Sequence, residues 1–225
     1  MKIILPLVFP LIVLANPAFG QSPKLGPERA ILHTNLGDLV LGFYPEVAPR
    51  HVAQVLRLIE LGIYDGAEIF RIEPGFVAQI ENFNMRKIPL PLEKQQTISK
   101  IRAEFSSLPH VRGTLSMARF DDPDSAESSF SLVLGTAPHL DRNYTVFGTV
   151  LEGMDVLTAI EQVPVEKTRP TVEVKIIRAE AIRPGTSYSM PSGGFALGFY
   201  GTGTIILLIA LAGILFFTSS GKNTA

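Results

Sequence analysis

The chain has 225 residues, 21 of them acidic and 20 basic, for a formal charge of −1 at pH 7 with histidine neutral. That balance gives no basic footprint for nucleic acid as a partner. The absence of cysteine excludes thiol catalysis and a lipid-modified cysteine anchor.

The first twenty residues, MKIILPLVFPLIVLANPAFG, place Lys2 before an apolar run that ends in the small-x-small pattern Ala18-Phe19-Gly20. This is the layout of a secretory signal peptide cleaved after Gly20. An uncleaved N-terminal anchor is the alternative, which Pro6 and Pro10 disfavour by interrupting a long helix. Residues 21–29 (QSPKLGPER) read as a linker, and 30–183 as one domain. About 150 residues can bury a self-sufficient core without disulfides. From 21 to 194 the chain carries 21 acidic and 18 basic residues, a formal charge of −3.

Within the domain, AILHT and DLVLGFY alternate around Asn35-Leu36-Gly37, which predicts a β-hairpin. The period then changes. Val52, Val55, Leu56 and Ile59 fall at i, i+3, i+4 and i+7 with Gly62 as the stop, predicting an amphipathic helix. Further strands are predicted at 67–72, 76–81, 113–118, 128–134 and 145–150. MDVLTAIEQV forms a second helix with Val156, Leu157, Ile160 and Val163 on one side. TVEVKIIRAEAI closes the domain as a long strand pairing with the first hairpin. Many strands, two helices far apart and frequent turns predict a mainly β fold, a closed β-barrel capped by helices. Met117 and Met154 fit core positions.

Residues 184–194 are a second linker. Residues 195–217, FALGFYGTGTIILLIALAGILFF, carry no charge. At about 1.5 Å per residue they extend roughly 34 Å, enough for a tilted transmembrane helix. Residues 218–225 would then form a cytoplasmic tail. With the signal peptide this predicts an exported, membrane-anchored, single-pass protein whose barrel lies on the extracytoplasmic side.

Five blocks in order, NLGDLVLGFYPEVAPRHVAQVLRL, GIYDGAEIFRIEPGFVAQ, RGTLSMAR, DDPDSAESSFSL and HLDRNYTVFGTVLEGMDVLTAI, resemble the cyclophilin-type peptidyl-prolyl isomerases from about Ala30 to Ile182. The compact RGTLSMARFDDPDSAESS is similar to the shorter bacterial form. The resemblance implies a closed eight-stranded antiparallel β-barrel with two α-helices. It also implies rotation of X-Pro bonds in proline-containing polypeptides, without a cofactor.

Residue by residue, the resemblance makes Arg71 the catalytic arginine. Phe76 becomes a pocket phenylalanine, Val77 a smaller substitute for the usual methionine, and Gln79 the residue that orders the arginine. Ala118 and Arg119 match the strand beneath a bound peptide, and Leu140 the pocket floor. The departures are Phe70 for histidine, Glu73 for an apolar residue, and Ile80-Glu81-Asn82 for Gly-Gly-Asp. Ser129 and Ser131 stand where a peptide-binding glutamine and a proline-contacting phenylalanine are expected. His139 replaces a tryptophan of many members, and Tyr144 a histidine.

This chemistry needs no nucleophile or metal. Rotation about X-Pro must break amide resonance, a barrier of about 18–20 kcal/mol. Twisting localises a lone pair on the prolyl nitrogen, and a fixed guanidinium donates to it, or to the carbonyl, best in the twisted state. A second reading is a cyclophilin-like peptide-binding or assembly module of low turnover, favoured by Glu73, Ser129 and Ser131. A third gives the functional role to the transmembrane helix within a membrane complex. His33, His51, His110 and His139 lack metal-ligand spacing, and DDPDS lacks the glycine and distal glutamate of a calcium loop.

Overall fold

The computed structural model describes residues 23–184. The predicted signal peptide, transmembrane segment and tail, with parts of both linkers, lie outside the described residues. Among the described residues no helix is long and apolar enough to cross a membrane.

Alternation builds the first hairpin. Strands β1 (Arg29–Thr34) and β2 (Gly37–Phe43) pair from Arg29↔Gly42 to Thr34↔Gly37. They bury Ala30, Leu32, Leu39, Leu41 and Phe43 in the core. Gly37 closes the turn at φ +128°, a conformation that side chains rarely adopt, and a Cβ there would lie 2.6 Å from Val156.

The remaining strands are β3 (Ile69–Glu73), β4 (Val77–Ile80), β5 (Thr114–Met117), β6 (Phe130–Val133), β7 (Val146–Glu152), the two-residue β8 (Val165–Glu166) and β9 (Arg169–Pro170), and β10 (Ile176–Ile182). All but β8 and β9 join one eight-stranded antiparallel sheet in the order β10-β1-β2-β7-β5-β6-β4-β3. The fold is a curled half-barrel rather than the fully closed barrel expected. No ladder runs between the edge strands β3 and β10. Their gap is bridged by a single Glu68↔Lys175 pair and by backbone N–H donations from Ile69 to Val174 (2.8 Å), Ile176 to Ala67 (2.8 Å) and Gly66 to Ile176 (2.7 Å), while Ile72 donates to Thr168 in the β8–β9 turn (2.7 Å). The physical reason is that the last predicted strand starts late. Residues 171–175 leave the β10 ladder, and the turn before them, with the β8–β9 hairpin, occupies the outer edge of β3.

Helices α1 (Pro49–Glu60) and α3 (Met154–Glu161) fall where the 3.6-residue period places them; a single turn, α2 (Leu92–Gln95), was not anticipated. α1 packs on β7 and β10, and α3 on β2 and β3. Inside the curl, Tyr64, Phe130 and Phe147 form a chain of edge-to-face contacts, each step 5.5 Å between ring centroids. The buried Tyr64 hydroxyl donates to the Ser128 carbonyl at 2.9 Å, so its burial leaves no orphan polar group. Met117 lies in the core, whereas Met154 at the start of α3 is exposed, a correction to its predicted place.

The segment between β4 and β5 contains little regular structure, and α1 anchors it. The Glu104 carboxylate accepts from the backbone N–H of Arg50 (3.1 Å) and His51 (3.0 Å), at the helix N-terminus, and meets His51 Nδ1 at 2.7 Å. A remote carboxylate thus serves the unsatisfied amides and the positive helix end. Burial pushes the His51 pKa below the ordinary value of 6.5, against the opposing pull of Glu104. As pH falls through about 6.5 the unfolded chain takes up a proton that folded His51 refuses, so stability declines until the lowered folded value is reached. Urea midpoints measured from pH 7.5 downward should show this decline, and His51→Gln should flatten its share of it. Equal slopes in the two proteins would contradict the assignment.

Candidate functional site

The site grows from the β3–β4 hairpin. Register pairs Arg71 with Gln79 and Glu73 with Val77, and the Pro74-Gly75-Phe76 turn joins the strands. Leu134 N–H donates to the Phe76 carbonyl at 2.8 Å, fastening this turn to the end of β6. The approach requires glycine at 135, where a Cβ would lie 2.0 Å from the Gly75 carbonyl oxygen.

Arg71 is about one-third exposed and held from two sides. Its Nη1 donates to Gln79 Oε1 at 3.3 Å and its Nη2 to Glu73 Oε2 at 2.6 Å; its Cζ lies 5.7 Å from the Phe76 ring centroid. Gln79 is itself oriented, since its Nε2 donates to Ser129 Oγ (3.2 Å), which donates to the Ile80 carbonyl (2.6 Å). This relay fixes which end of the amide faces the guanidinium. Ser129 therefore stands behind Gln79, outside the cleft lining.

The cleft itself has a volume of about 130 Å³. Its apolar wall is Phe76, Val77 and Leu140, backed by Val133 and Ala137 in a small cluster separate from the main core. Phe76 leans on the His139 ring at 5.1 Å between centroids. Ala118, Arg119 and Tyr144 form another side. Arg119 lies over Tyr144, 4.5 Å from Cζ to the ring centroid, and donates to the carbonyls of Phe120 (2.7 Å) and Asn143 (3.2 Å). The Ala118 N–H is engaged by the Ser129 carbonyl at 3.0 Å, so that donor is not offered to a peptide. Ser131 reaches the cleft, with no aromatic ring in its place.

Nine of the ten residues singled out in the sequence thus meet around one cleft. Sequence reasoning missed the Glu73–Arg71 pair and the presence of Ser116 and Met117 in the lining. The two-residue spacing of Arg71 and Glu73 on one strand was a usable signal, because i and i+2 share a face. A wider, more open hollow of about 380 Å³ lies over α1, lined by Arg50, Arg57, Lys100 and Arg102 among others, and shares no residue with the cleft.

The site is thus a curled antiparallel sheet with a tethered arginine beside a small apolar wall. A sequence model of the cyclophilin type peptidyl-prolyl cis-trans isomerase family matches residues 29–181, and the chain belongs to that family. It is 45% identical over 166 residues to a peptidyl-prolyl cis-trans isomerase of Arabidopsis thaliana, covering 71% of this chain and 74% of that one. A probable peptidyl-prolyl cis-trans isomerase of Brucella abortus is 36% identical over 158 residues, covering 67% and 81%. Among solved structures, a cyclophilin from Hirschia baltica superposes with a TM-score of 0.60 at 22% identity, covering 70% and 75%. A Cryptosporidium parvum cyclophilin-type isomerase, crystallised in the presence of the dipeptide Ala-Pro, gives 0.59 at 24% identity, covering 67% and 96%.

The ion pair of Arg71 with Glu73 is partly solvated on both sides, and such pairs contribute about 0–1 kcal/mol to stability. Its larger effect is on the site, where the carboxylate occupies Nη2 of the guanidinium. Glu73→Leu should leave the denaturant midpoint nearly unchanged and raise kcat/KM for an X-Pro peptide up to about fivefold, matching that energy range. A fall in rate would show instead that Glu73 positions the guanidinium.

Proposed function

We propose that the cleft catalyses rotation of X-Pro bonds in exported or membrane-proximal polypeptides, assisting their folding. The observation that carries this reading is Arg71, oriented by Gln79 beside the apolar wall of Phe76, Val77 and Leu140. The wall grips the pyrrolidine ring while the preceding carbonyl swings. As resonance is lost, the guanidinium meets the prolyl nitrogen lone pair or the carbonyl oxygen. Because Arg71 is already held, this stabilisation requires little reorganisation in the transition state.

Removing one preorganised donor costs about 2.7–4 kcal/mol in well-studied sites, a factor of roughly 10²–10³ in rate. Arg71→Ala should therefore depress isomerisation of an X-Pro peptide by that order, measured by exchange NMR on the full chain, while peptide affinity changes much less. Arg71→Lys should rescue only part of the loss, because an ammonium lacks the planar fork. Wild-type turnover matched by Arg71→Ala would sink the assignment. Absence of turnover in the wild type would favour the binding-module reading, which Ser131 supports by leaving position 131 of the cleft without an aromatic ring.

The export part of the reading rests on the charged and apolar pattern of 1–20 and the uncharged run 195–217. Protease added to intact spheroplasts or right-side-out vesicles should digest the isomerase domain. Full protection, with digestion only after lysis, would place the domain on the other side.

A further inference from the structure

One wall of the cleft holds a constellation that isomerisation does not use. Ser116, on β5, lines the cleft although it is only 3% exposed. The His110 side chain is fully buried behind it, with Nε2 2.9 Å from Ser116 Oγ and Nδ1 2.8 Å from Asp141 Oδ1. Asp141, which follows the short turn Pro138–Leu140, also accepts the His110 backbone N–H at 2.8 Å. These bonds hold its carboxyl below the usual carboxylate range, so it is ionised at neutral pH. A carboxylate is acceptor-only, so Nδ1 carries the imidazole proton and Nε2 presents its lone pair to the serine hydroxyl. Nucleophile, base and base-orienting carboxylate are therefore in hydrogen-bonded series.

Ser131 is the direct cross-strand partner of Ser116, so both side chains lie on the same side of the sheet. Both reach the cleft. A large ring at 131 would cover Ser116; the serine there does not.

We propose that Ser116, His110 and Asp141 form a serine-nucleophile centre that takes short acyl groups from esters entering the cleft. Ser116 Oγ attacks the acyl carbon as its proton passes to His110 Nε2, and a new C–O bond forms. Collapse of the tetrahedral adduct breaks the bond to the alcohol, which leaves with the proton from Nε2. Water then attacks the acyl-serine, again giving a proton to Nε2. The carboxylic acid leaves as Ser116 recovers its proton. Arg71, on the same cleft, supplies positive charge for the oxyanion. The short bore of about 130 Å³ limits the acyl chain to a few carbons. This centre is independent of the isomerase reading, since a prolyl substrate needs none of its three residues for twisting.

The test uses the full chain with a fluorophosphonate probe, adducts mapped by mass spectrometry, and p-nitrophenyl acetate hydrolysis in parallel. One adduct on Ser116 is expected, absent in Ser116→Ala. His110→Gln should slow labelling and ester hydrolysis about 10²-fold or more, the usual scale of general-base assistance. If that buried variant fails to fold by circular dichroism, Asp141→Asn at the more exposed end of the series carries the same test and should slow both at least about tenfold. Ser131→Phe should block labelling by covering the hydroxyl. No adduct on wild type, an adduct elsewhere, or wild-type labelling rates in folded His110→Gln or Asp141→Asn would overturn the proposal. Each would show the series to be a structural latch between β5 and the 138–141 turn. Isomerase turnover of the same wild-type preparation is read separately, so failure here leaves the prolyl chemistry untouched.

Discussion

The close backbone approach of Gly75 and Gly135 is the constraint on which the site depends. It brings the β3–β4 turn against the end of β6, where Leu134 takes the Phe76 carbonyl. That contact sets Phe76 and Val77 against Val133 and Ala137, giving the cleft its own apolar cluster rather than a share of the central core. From the same hairpin, strand register places Arg71 opposite Gln79. Backbone geometry thus fixes the donor and the apolar wall together. A catalyst that makes no covalent bond depends on such fixed placement, since its effect comes from differential interaction with a twisted state.

The electrostatics of the arginine are less simple than a cation beside a ring. Gln79 orders it through a neutral amide held by Ser129, whereas Glu73 draws it with a full negative charge. Ser129 was expected to touch peptide, as a glutamine does at that place in the family. Its hydroxyl serves instead to satisfy Gln79 and the Ile80 carbonyl. With its hydroxyl engaged in these two bonds, Ser129 stands behind Gln79 and outside the cleft lining.

Much of the fold was legible because its elements are strongly periodic. The first hairpin, α1 and α3 declare themselves by spacing, and the central strands were placed to within a few residues. The β8–β9 hairpin and α2 are too short to show a period, and two to four residues carry no distinguishable pattern. The ordering of the 81–113 segment was also hidden. It rests on Glu104 capping a helix 53 residues earlier in sequence and on Arg86 donating to the carbonyls of Ile63 and Asp65. Site residues were readable where they cluster in sequence, as around Arg71. His110 and Asp141 lie 31 positions apart and meet only through the path of the 138–141 turn.

The unclosed seam has a mechanical meaning. Arg71 rides on an edge strand with one full ladder neighbour, β4, while its other margin is stitched by a bridge and a few backbone donors. A ladder on each side supports a strand twice over, and β3 has one where β1 and β5 have two. The strand that carries the guanidinium therefore takes its place from β4, which β6 clamps into the sheet. The Leu134 donation to the Phe76 carbonyl holds the same hairpin at its turn, so donor and wall are both anchored from the inner side of the curl.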